Sequence, residues 1–111
     1  ALCRDNEYLK QIGTIQTASA VISTRPAEVR LINLTCDSTA CVAGLYDVDT
    51  LGEASGTGTG AAKIEPGTPA SQSVLLPQSG FFEQPLSFTE GITFVDDGNV
   101  AAISLFECEA R

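Results

Sequence analysis

The feature that most limits what this chain can become is its punctuation. From Thr17 onward, short apolar runs alternate with clusters of Gly, Pro, Asp, Asn and Ser, and no stretch of ten or more residues keeps helical apolar spacing. An all-β fold follows, with strands expected at Thr17 to Ser23, Ala27 to Thr35, Cys41 to Val48, Ser73 to Leu76, Gly91 to Asp96 and Asn99 to Glu107. Weaker signals lie at Ala61 to Glu65 and Phe81 to Glu83. The five prolines, Pro26, Pro66, Pro69, Pro77 and Pro85, fall between these runs or at their ends, where a missing N–H costs no ladder bond. Asp96-Asp97-Gly98-Asn99 separates two apolar runs and predicts a tight hairpin joining the last two strands. The spacing of runs suits an antiparallel β-sandwich or jelly roll.

With 111 residues the chain has material for one domain, burying about 65% of its unfolded surface. Its core is therefore thin, and help from cross-links or a partner is expected. No run reaches the roughly 18 apolar residues a membrane-spanning helix needs. Six basic against fourteen acidic residues leave a net charge of −8, which opposes a grip on phosphate backbones or anionic lipid. Nucleic acid and membrane are thus not expected as partners. The N-terminus lacks a basic start followed by an apolar core, so we expect no export signal in the given chain, and loss of an initiator Met before Ala1 is the plainer history.

Residues 1–16 read differently from the rest. Asp5 would cap a short helix running to Lys10, leaving Leu2, Leu9 and Ile12 to be covered by the sandwich edge or by a neighbouring molecule. This segment is expected to be an N-terminal arm ahead of a single β-sandwich domain at 17–111, the alternative being a terminus folded back on its own domain. Cys36 and Cys41 bracket Asp37-Ser38-Thr39-Ala40 and would face each other across a hairpin. Cys3 and Cys108 lie near opposite chain ends, which often meet in compact domains. Two disulfides are thus open to the chain, as are four separate buried thiols; the paired short spacings of a zinc ribbon are missing.

The chain contains no histidine, methionine or tryptophan, and without histidine no Ser-His or Cys-His pair can form. No catalytic residue, metal ligand or cofactor site is therefore assigned, and an enzyme is not expected. Gly56, Gly58 and Gly60 lie in a surface loop, lacking the spacing of a phosphate loop. Asp47 with Asp49, and Asp96 with Asp97 and Asn99, are dense enough to consider for calcium, although turn formation is the commoner use of such residues. Asn33-Leu34-Thr35 matches a glycosylation sequon inside a strand and is discounted.

Strand alternation hints at partners. Val100, Ala102, Ser104 and Phe106 fall on one face of their run, with Ala101, Ile103 and Leu105 on the other. Val29 and Leu31 likewise alternate against Ile32 and Leu34. Doubly apolar strands need cover on both sides. Candidate contact residues are accordingly Leu2, Tyr8, Leu9 and Ile12 of the arm, with Ile32, Leu34, Ile103 and Leu105 of the strands.

Two stretches carry a family resemblance. The first runs from Arg25-Pro26-Ala27-Glu28-Val29-Arg30-Leu31-Ile32-Asn33-Leu34-Thr35 to Gly44-Leu45-Tyr46-Asp47. The second runs from Phe88-Thr89-Glu90-Gly91-Ile92-Thr93-Phe94-Val95 to Val100-Ala101-Ala102-Ile103-Ser104-Leu105. Together, across Val21 to Phe106, the chain resembles small β-sandwich virion proteins of tailed bacteriophages, chiefly head decoration or cement proteins. The resemblance implies a jelly-roll or sandwich fold, assembly as a homo-oligomer, commonly a trimer, and the major capsid protein as partner. It also implies a place on the virion exterior. A cement protein needs no reaction chemistry, because it stabilises a shell by burying apolar area across subunit junctions. The alternative is a tail- or fibre-associated sandwich that binds a host-surface glycan, for which an exposed Tyr8 or Phe82 would be the sign. A third reading, a secreted disulfide-bonded domain, requires two intact bridges.

Overall fold

The computed structural model describes residues 3–51, 62–76 and 86–111. Their regular elements are ten strands: β1 (Glu7–Gln16), β2 (Ala20–Ser23), β3 (Ala27–Val29), β4 (Leu31–Cys36), β5 (Cys41–Tyr46), β6 (Gly67–Thr68), β7 (Ser73–Leu76), β8 (Leu86–Phe88), β9 (Ile92–Asp96) and β10 (Val100–Ala110). A first sheet has the order β1-β10-β4-β7, a second has β2-β9-β5-β6, and β3 pairs with β8 alone. Every pairing is antiparallel. The chain is an all-β sandwich, as its punctuation predicts. The weak signal at Phe81 to Glu83 and the glycine-rich loop from Gly52 to Gly60 lie outside the described residues.

The two sheets share one core. Phe88, Phe94, Ile32, Leu34, Leu45, Ile92, Ile103, Leu105 and Val29 are all fully buried. Each such side chain contributes about 1.5–3 kcal/mol relative to exposure.

Local reading fails where the chain changes sheets. The expected hairpin at Asp96 to Asn99 is instead an arch, since β9 pairs with β2 and β5 whereas β10 pairs with β1 and β4. The tight turn itself forms as expected: Asp96 Oδ1 accepts from the N–H groups of Gly98 (2.8 Å) and Val100 (3.1 Å), and Gly98 adopts φ +96°. The turn fixes a reversal of direction, and the central position of each strand in its own sheet decides where that reversal leads. The turn after Cys36 behaves the same way, carrying the chain from β4 in the first sheet to β5 in the second.

One expected strand divides, and the expected arm becomes a strand. Ala27 to Thr35 breaks at Arg30, whose N–H donates to Phe106 O at 2.8 Å, so that β3 and β4 belong to different sheets. The leading segment is neither helix nor free arm. Glu7–Gln16 is a strand paired with β10 from Glu7↔Ala110 to Gln16↔Ile103. The extended partner β10 offers a ladder position to each residue from Glu7 to Ile12 and again to Gln16, and that outweighs one helix cap.

Candidate interaction surface

The expected contact residues divide sharply. Ile12, Ile32, Leu34, Ile103 and Leu105 are buried within the chain's own core and are not available to a neighbour. The physical reason is irregular alternation. A bulge between Val100 and Ala102 places Val100 on the same face as Ile103 and Leu105, opposite Cys36, Leu34 and Ile32 of β4. The break at Arg30 similarly turns both Val29 and Ile32 into the core. The apparent second apolar face therefore shrinks to Leu31, Phe106 and their neighbours.

Leu2 lies outside the described residues, Leu9 is half-buried opposite Cys108, and Tyr8 is 40% exposed. The Tyr8 hydroxyl donates to Glu109 Oε2 (3.2 Å), which also meets Lys10 Nζ at 2.8 Å. The lysine hydrogen bond holds the Glu109 carboxyl below its ordinary pKa, and the same contact raises that of Lys10. Tyr8 borders a shallow depression with Arg4, Asp5 and Arg111. Phe82 lies outside the described residues.

All four cysteines are paired, Cys3 with Cys108 and Cys36 with Cys41. The first bridge, with 105 residues of sequence separation, joins the start of the chain to the last strand. There the C-terminal residue also reaches back, with Arg111 N donating to Asn6 O (3.0 Å) and Arg111 Nε to Glu7 O (3.1 Å).

Of the carboxylates considered for calcium, those of Asp47, Asp96 and Asp97 are occupied by backbone. Asp47 accepts from the N–H groups of Thr89, Glu90 and Gly91 and from the Thr89 hydroxyl. Partial burial works against its charge, but these donors together outweigh it and hold its carboxyl below the ordinary range. The two stretches that carry the family resemblance, one ending in Tyr46-Asp47 and the other opening on Phe88-Thr89-Glu90-Gly91, are joined by this clasp. Gly91 is needed there, since a Cβ would stand 2.6 Å from Ser23 O and 3.0 Å from Val48 O. Asp97 Oδ2 accepts from Val42 N at 2.9 Å and its Oδ1 from Asn99 N at 2.9 Å. Among the described residues no three His, Cys, Asp or Glu side chains are grouped to hold a metal ion.

A cavity of about 550 Å³ lies beside β3 and β8, lined by Glu7, Glu28, Arg30, Phe88 and Glu107 among others. Burial, reinforced by the charge of Glu109, raises the pKa of Glu107. Ser87 and Thr89 line it as well, beside Cys108 of the first disulfide.

The surface that sequence reading missed is the outer face of the first sheet toward β7. Register places Phe106 beside Leu31, Ser104 beside Asn33 beside Leu75, and Ala102 beside Thr35 beside Ser73. None of these is charged. Burial falls along the two rows that reach β7, where Ser73 is exposed and Leu75 is 53% exposed, while Leu31 and Ser104 are buried. A signal was present in the sequence, because Pro66 to Phe82 contains no Asp, Glu, Lys or Arg. Comparison of the chain with family models, with curated proteins and with solved structures returns no match.

Proposed function

We propose that this chain is a non-enzymatic structural subunit of a tailed-phage virion, a decoration or cement protein that binds the major capsid protein on the shell exterior and associates with copies of itself. The observation that supports this best is the uncharged strip where the outer face of the first sheet opens at Ser73 and Leu75, on a chain of net charge −8. A face of this kind can lie against another protein without stranding a charge, and charge depletion is what marks the centre of protein interfaces. The carboxylates of Asp47, Asp96 and Asp97 are spent on turns, which suits a part that works by shape. Purified protein mixed with empty capsids should co-sediment with them and raise their melting temperature. Absence of both effects removes the proposal.

One observation favours a second reading. The two bridges, Cys3 with Cys108 and Cys36 with Cys41, are what an exported disulfide-bonded domain requires. Alkylation and mass spectrometry of protein from its native source separates the two: four free thiols would discard the exported domain.

A further inference from the structure

We propose that the open edge of β7 pairs with β7 of a second copy, antiparallel about a two-fold axis, so that the two first sheets run on into each other. The inference rests on reading the chain as an associating subunit and uses nothing about capsids. Cys36 N donates to Gln72 O at 3.0 Å, one step beyond the β4–β7 register. Antiparallel ladders alternate between bonded and non-bonded pairs. Val74 and Leu76 are therefore the β7 residues that exchange bonds with β4, opposite Leu34 and Ile32. Ser73 and Leu75 occupy the other kind of position, and the 2.7 Å contact between the Thr35 and Ser73 hydroxyls fits the closer side chains of such a pair. The N–H and C=O groups of Ser73 and Leu75 consequently point away from β4, toward the edge. Among the described residues no strand stands there, since the sheet order ends at β7.

Natural edges are blunted by shortness, by a charge, a proline or a bulge, or by a covering segment. β7 is short, at four residues, but Ser-Val-Leu-Leu carries no charge or proline and its register with β4 is unbroken. What identifies the occupant is charge. Two copies at −8 repel over most of their surfaces, and among the described residues the uncharged run from Pro66 to Leu76 is where that repulsion is least. A charged partner would find nothing there to recognise, whereas a second β7 offers the same donors and acceptors in reverse order. Centring the axis at Val74 sets Ser73 against Leu75 of the second copy, and Leu75 against its Ser73, both as bonded pairs. A four-residue strand buries less than a standard interface, so the dimer should depend on concentration. An isologous contact closes at two copies, not at the three that the phage resemblance implies.

The test is sedimentation velocity of the full chain, bridges intact, from about 1 µM to about 1 mM. The expected result is a monomer passing to a dimer as concentration rises. Leu75→Pro deletes an N–H that faces the edge and should leave a monomer throughout. Leu75→Lys sets two charges near the axis and should weaken the dimer about tenfold or more. Should Leu75→Pro not fold, Leu75→Lys decides, because its side chain is exposed. A monomer at every concentration, a trimer, or a dimer indifferent to both substitutions overturns the proposal. Capsid co-sedimentation of the monomeric variant is read separately, so failure of the dimer and failure of the cement role are distinguishable.

Discussion

The two edges of the first sheet are finished in opposite ways. At β1 the strand carries Glu7 and Lys10, breaks register between Ile12 and Gln16, and is tied at its start by the Cys3–Cys108 bridge and by Arg111. At β7 the strand is short, uncharged and regular, with Leu75 in solvent. Among the described residues, the β1 edge is guarded by charge, a register break and a covalent tie, whereas the β7 edge is guarded by its shortness alone. The protected side is also where the chain ends meet, so a single set of contacts serves both closure and blunting.

The largest effect should come from the tied edge. Replacing Cys3 and Cys108 together by Ser releases a loop of 105 residues' separation, and chain entropy puts the loss near 4.7 kcal/mol, read as a fall in urea midpoint. Proteolysis should then begin within β1. If the midpoint does not move, the tie is unimportant and the contrast between edges collapses. Next in size is a pair of prolines on β7. Val74→Pro removes an N–H directed at β4 and should cost about 1–3 kcal/mol, while Leu75→Pro should cost the isolated monomer under about 1 kcal/mol. Equal costs would mean that the bonding phase of the ladder has been assigned backwards.

Asp47, which follows β5 of the second sheet, gives a reference for what a satisfied carboxylate is worth. Asp47→Ala should cost about 1–2 kcal/mol at pH 7 by leaving its backbone donors without their acceptor. Because the folded-state pKa of Asp47 lies below the ordinary 3.8, its contribution is present above that value and is lost as pH falls through the lower folded value. Thermal melts of wild type and variant should therefore converge in that acid range and separate above it. The smallest effect is expected at Lys10→Gln, since the pair with Glu109 is exposed on both sides. A large drop in melting temperature there would make the charges of β1 part of its hold on β10, beyond their blunting role.

Much of the fold was legible. Ser73 to Leu76 matches β7 end for end, and β9 and β10 depart from the expected runs by a few residues. Period-two alternation and turn chemistry are local properties, and they suffice for strand existence. The contact residues were not legible. Ile103 and Leu105 looked like one face of a doubly apolar strand, because a bulge at Ala101 and a break at Arg30 leave no mark on apolar content. Glu7–Gln16 was missed for a related reason: its partner is the far end of the chain.

The sequence by itself determined that this is a β protein, where its turns fall, and that its surface is strongly acidic with one long uncharged interval. Only the tertiary structure decided which turns arch between sheets, which apolar residues face inward, that Cys3 meets Cys108, and that β7 stands at an edge. Strand formation depends on neighbours in the chain, whereas sheet order depends on partners brought together by one shared core. In a sandwich whose chain crosses repeatedly between its two sheets, most of those partners are far apart in sequence.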